Sequence, residues 1–92
     1  MTIPTPAEVY QVAVKNGKFK GKTFRSLLMD IEDELREALD AFVDVIPEGQ
    51  PHCLSEELAD IVLVTFSLAE HLKLDIISAI VRKHKQNKGT NE

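Results

Sequence analysis

Ninety-two residues make one small domain with a modest core. A net charge of −4 offers no broad basic surface to nucleic acid, and no apolar run is long enough to cross a membrane. The N-terminus lacks the charged and apolar regions of a signal peptide, and the single cysteine, Cys53, makes no internal disulfide, so a reducing cytoplasm is expected.

Met1 to Pro6 contains Pro4 and Pro6 and is expected to be extended or loosely ordered. Ala7 to Lys15 reads as a short helix with Val9, Val12 and Ala13 on one face, stopped by Asn16-Gly17. Lys18 to Lys22 is a basic loop, either solvated or facing a phosphate. Thr23 is an N-cap for a helix over Phe24 to Val45. There Phe24, Leu27, Leu28, Ile31, Leu35, Ala38, Leu39 and Phe42 recur at three and four, and acids fill much of the rest. Pro47, Gly49 and Pro51 break the chain.

Leu54 to Leu72 is the helix around which the rest is organised, with Ser55 as its expected cap and Glu56 and Glu57 at its positive end. From Ile61 onward it is apolar nearly all round, which places it in the middle of the fold and predicts a subunit contact. Asp60 sits where the helix turns apolar and is expected to be partly buried, at a cost that demands a partner. Lys73-Leu74 is a turn, and Asp75 caps a last helix over Ile76 to Gln86. The tail from Lys88 is expected to fray. The expected fold is all-α, an antiparallel bundle of about four helices in a single domain, residues 1–92.

The chemistry lies in the acids. Glu34 with Glu37, and Glu57 with Asp60, are pairs three apart on two successive helices. If those helices pack, four carboxylates converge and repel, and repulsion grows as water is removed. Protonation, separation or a hard divalent cation relieves it; magnesium fits oxygen ligands best, with manganese as a substitute. No histidine stands at zinc-ligand spacing, and His52, His71 and His84 read as surface or structural residues. Cys53 reads as an inert small hydrophobe. Taken singly, a pair such as Glu34 with Glu37 reads rather as a solvated helix face; two such pairs, one running into a buried helix, bring a metal site level with that reading.

Asp33-Glu34-Leu35-Arg36-Glu37, then Glu56-Glu57-Leu58-Ala59-Asp60, then Lys83 with Asn87, resembles the MazG-like all-α nucleotide pyrophosphohydrolases. Their signature is an E-E-x-x-E segment, an E-x-x-D segment beyond it, and a downstream lysine and asparagine. The first acid here is Asp33 rather than glutamate, and Lys88 to Thr90 stands where an arginine is often found. The resemblance implies that Glu34, Glu37, Glu57 and Asp60 ligate magnesium, which holds a nucleoside triphosphate and activates a water. It implies that Glu56 or Asp33 positions that water or supports the metal ligands, that Lys83 offsets phosphate charge and that Asn87 hydrogen-bonds the nucleotide. The products would be a nucleoside monophosphate and pyrophosphate. Two alternatives stand beside it: a related phosphoribosyl-ATP pyrophosphohydrolase, and a non-catalytic helical interaction module. No nucleic-acid or membrane partner is expected, and a homodimer or homotetramer is.

Overall fold

The computed structural model describes residues 2–45 and 51–89, the side chains of 41–45 and 51–53 excepted. The described residues are all-α, as the periodicity predicts, with four helices in order: α1 (Pro6–Lys15), α2 (Phe24–Val45), α3 (Pro51–His71) and α4 (Ile76–Gly89). Helix α3 is central, packing against both α2 and α1, while α4 meets it only lightly.

Local chemistry sets the ends. Thr5 caps α1 in a reciprocal box: its hydroxyl accepts from the Glu8 amide (3.1 Å) and its own amide donates to Glu8 Oε1 (2.8 Å). Thr5 is extended, as expected for the first residues, while Pro6 already opens the helix. Thr23 caps α2 as expected, paired with Ser26 in the same reciprocal way (3.1 and 2.8 Å). Asp75 caps α4, accepting from the Ser78 amide at 3.1 Å and the Ser78 hydroxyl at 2.7 Å.

Helix α3 begins one turn earlier than its expected Ser55 cap. Pro51 is its first residue rather than a breaker, because a proline in the first turn forfeits no helical hydrogen bond. At the other end Lys88 and Gly89 continue α4 where fraying is expected. Pro47 and Gly49 lie outside the described residues, as do the side chains of Phe42, His52 and Cys53.

Helices α1 and α3 close with the same hydrogen-bond pair. The Lys18 amide donates to Ala13 O (3.0 Å) and the Gly17 amide to Val14 O (2.9 Å), and in α3 Leu74 and Lys73 donate to Ala69 (2.8 Å) and Glu70 (3.0 Å). Both turns need a left-handed residue. Gly17 supplies it at φ +75°, but Lys73 supplies it at φ +60° with a β-carbon in the way.

The core is small. Leu27 and Ala38 of α2, with Phe66, Leu68 and Ala69 of α3, are its buried apolar residues among those described. Beside it Phe19, from the basic loop, stacks on His71 (centroids 4.3 Å apart, planes 16° apart) and meets Tyr10 edge-on at 5.2 Å. The Tyr10 hydroxyl and His71 Nδ1 are hydrogen-bonded at 3.2 Å. His71 is thus structural, as expected.

The apolar stripe of α2 is wider than its neighbour covers. Leu27, Ile31, Glu34 and Ala38 form the line that is buried or half-buried, while Leu28, Leu35 and Leu39 remain exposed. On α3 the covered line runs Leu54, Glu57, Ile61, Val64, Leu68, and Leu58 and Val62 are open. Helix α4 has no buried residue; Ile77, Ile80 and Val81 all face outward.

Candidate metal centre

Both covered lines are interrupted by a glutamate. Glu34 takes the place of an apolar residue between Ile31 and Ala38, and Glu57 does so between Leu54 and Ile61. A charged side chain at a core position of a small domain is costly unless something compensates it. Helix packing brings the two together. One oxygen each from Glu34, Glu37 and Glu57 lies within 4.8 Å of the others. Glu34 Oε1 and Glu57 Oε1 are buried, and neither has a hydrogen-bond partner among the described residues.

The electrostatics follow. Burial, and then the neighbouring carboxylates of Glu37, Asp60 and Glu57, hold the Glu34 carboxyl above its ordinary value of 4.5, with Lys18 pulling the other way. No ion pair among the described residues reaches the cluster: the one formed joins Lys22 to Asp30 at 3.0 Å.

A divalent cation suits this donor set. Magnesium takes six oxygens at about 2.0–2.1 Å, so ligands on opposite sides of it lie about 4.2 Å apart. Small side-chain rotations bring a set spread over 4.8 Å into that range. The orphaned oxygens of Glu34 and Glu57 are the atoms such an ion would satisfy.

Asp60 departs from expectation. It is exposed rather than partly buried, because it falls at the edge of the covered line of α3 and turns into an open groove. It acts on Glu34 through its charge but is not among the three residues whose oxygens converge. The expected set of four is therefore three converging glutamates, with Asp60 outside them and exposed in the groove. Asp33 and Glu56 are exposed, and Asp33 lines the groove. Lys83 and Asn87 are exposed on α4 and do not line it.

The groove runs between α1, the basic loop and the α2–α3 pair, with a volume of about 880 Å³. Its lining includes Glu34, Glu37 and Asp60, the lysines Lys18 and Lys22, and the apolar Val9, Val12 and Leu63. The signal for the centre was present in the chain: an acid at a position where the 3.6-residue period demands an apolar residue, on two successive helices. Lys18 had a weaker signal, as one of several lysines in a glycine-flanked loop.

No family model, curated protein or solved structure matches this chain.

Proposed function

We propose that the protein is a magnesium-dependent hydrolase that converts nucleoside triphosphates, non-standard ones or deoxynucleotides among them, to monophosphate and pyrophosphate. The observation that carries this reading is the pair of buried, unpartnered carboxylate oxygens of Glu34 and Glu57, drawn together with Glu37 at core positions of two packed helices. Stability alone gives no reason to bury them. The resemblance of the two acidic segments to the MazG-like pyrophosphohydrolases supplies the reaction.

Glu34, Glu37 and Glu57 would hold the ion, with Asp60 reaching in from the groove. A bound magnesium would offset triphosphate charge and acidify a water, with manganese as a substitute. Glu56 or Asp33 orients the attacking water and accepts its proton, which passes on to solvent. The water oxygen bonds to the α-phosphorus, the α–β anhydride bond breaks, and the bridging oxygen leaves with pyrophosphate. Lys83 and Asn87, the phosphate and nucleotide contacts that the resemblance implies, would come to a site from α4 of a second copy. A homodimer or homotetramer in the cytoplasm is part of this reading. Exposed Leu35, Leu39, Leu58, Ile80 and Val81 support the assembly, and a stable monomer at micromolar concentration in light scattering would count against it.

The test is a nucleotide panel with magnesium or manganese, scored for pyrophosphate against phosphate. Pyrophosphate release is expected. Release of single phosphate, or no turnover of any nucleotide, refutes the reaction, and turnover of phosphoribosyl-ATP alone selects the related histidine-pathway enzyme. The exposed apolar faces also favour a second reading, a non-catalytic helical interaction module. That reading predicts a protein whose melting is indifferent to magnesium.

A further inference from the structure

The groove beside the acids is more than their surroundings. Carboxylates, two lysines and a run of apolar side chains line it together. Its volume, about 880 Å³, falls within the range of small-molecule sites, roughly 300–1,000 Å³. We propose that this groove seats the substrate, with Lys18 binding the phosphate chain held at the carboxylates and the nucleoside lying on an apolar floor of Val9, Val12 and Leu63. The proposal rests on the nucleotide-hydrolase reading above and adds to it the cation and the base-binding surface.

Four observations support it. A phosphate chain brought up to three carboxylates needs positive charge on its other side as well as at the metal. Of the two lysines in the lining, Lys22 is engaged by both oxygens of Asp30 at 3.0 Å, whereas Lys18 makes no ion pair among the described residues. Lys18 also lines the same groove as Glu34, Glu37 and Asp60. Finally, the loop that carries it is held in shape. Left-handed Gly17 and Gly21 turn it at either end, and Phe19 anchors it by stacking on His71. A lysine on a fixed loop loses less freedom on binding than one on a loose tail.

The floor answers a different need. The base of a nucleoside has flat faces that bury against apolar surface, whatever hydrogen bonds its edges make. Val12 is 60% exposed and Leu63 37%, both facing the same groove. Covering them with a base removes apolar area from water at no cost to the fold.

The test measures dissociation constants with magnesium present, using non-hydrolysable α,β-methylene analogues of the deoxynucleoside triphosphates and, separately, inorganic tripolyphosphate. Three variants are compared with the parent: Lys18→Ala, Val12→Gln, and Lys20→Ala, whose side chain is exposed and does not line the groove. Lys18→Ala is expected to weaken both probes about tenfold, as loss of one charge-assisted contact does. Val12→Gln is expected to weaken the nucleotide analogues about fivefold and to leave tripolyphosphate unchanged. Lys20→Ala should match the parent. If Lys18→Ala binds no worse than Lys20→Ala, or Lys83→Ala is the variant that weakens tripolyphosphate, the role of Lys18 is overturned while hydrolysis stands. If Val12→Gln affects both probes equally or neither, the floor is overturned. If the parent binds neither probe, the nucleotide reading itself fails and takes this one with it.

Discussion

The two ends of α3 are built on opposite plans. Toward the C-terminus, Phe66, Ser67, Leu68 and Ala69 are buried on consecutive positions, so the helix is enclosed all round, and His71 is held between Phe19 and Tyr10. Toward the N-terminus the same helix exposes Leu58 and Val62 and buries an oxygen of Glu57 that has no hydrogen-bond partner among the described residues. One end has its apolar groups covered; the other leaves two of them open and sets a carboxylate at a core position. The difference separates the part of the helix that stabilises the fold from the part that carries the candidate site. Sites held at some cost to stability are the usual arrangement in functional proteins.

The largest expected effect tests the enclosed end. Phe66→Ala should cost about 3–5 kcal/mol in denaturant unfolding, by lost burial and the cavity left behind. Leu58→Ala, at the open end, should cost no more than about 0.5 kcal/mol in an isolated chain. A clearly larger cost for Leu58 would mean that a second copy covers it.

Next comes the open end. Magnesium at one hundred times its dissociation constant should stabilise the parent by about 2.7 kcal/mol through mass action. That gain should shrink sharply in Glu34→Gln, and hydrolysis should be lost. In chelator at neutral pH, the variant should be at least as stable as the parent, since it sheds a repelled, half-buried charge. Thermal melts of both proteins under both conditions decide this. A variant clearly less stable in chelator would break the contrast, because Glu34 would then belong to the fold rather than to the site.

The same residue gives a pH signature. Its folded-state value lies above 4.5, so the ionised form carries a penalty that is present above the raised value and gone below 4.5. Its contribution therefore makes the metal-free parent more stable as pH falls through that window, and Glu34→Gln removes it. Asp75 works in the opposite sense. The Ser78 amide and then the Ser78 hydroxyl hold its carboxyl below 3.8, so its contribution is present above 3.8 and fades as pH drops through the lowered value. Melts between pH 7 and pH 3 follow both.

Smaller effects sharpen the contrast. Tyr10→Phe removes the hydrogen bond to His71 and should cost about 0.5–1.5 kcal/mol, leaving the magnesium response unchanged. Lys73→Gly should raise stability by about 0.5–1 kcal/mol, because glycine adopts the left-handed turn that lysine holds under strain. Both are read from denaturant midpoints.

Much of this was legible in the chain, for identifiable reasons. The stripe from Phe24 and the cap at Asp75 placed α2 and α4, since period and capping are local. The acid pairs marked the site because spacing three puts side chains on one helix face whatever the fold. The start of α3 was misread, since Pro51 can break a helix or begin one. The exposure of Asp60 was hidden because periodicity defines an apolar arc but not which edge of it a neighbour covers. Tyr10 and His71 are 61 residues apart, and their pairing depends on how α1 docks, which no local pattern records.

Helix α4 joins the rest through a strained left-handed lysine, with Leu74 alone between it and the Asp75 cap, and buries nothing of its own. Its amide protons therefore have a separate route to solvent. In an isolated chain they exchange by local opening of α4 alone, while those around Phe66 to Ala69 wait for the whole domain to unfold. A surface that covered Ile77, Ile80 and Val81 would merge the two rates, so amide exchange reads out directly whether the last helix has found something to lie against.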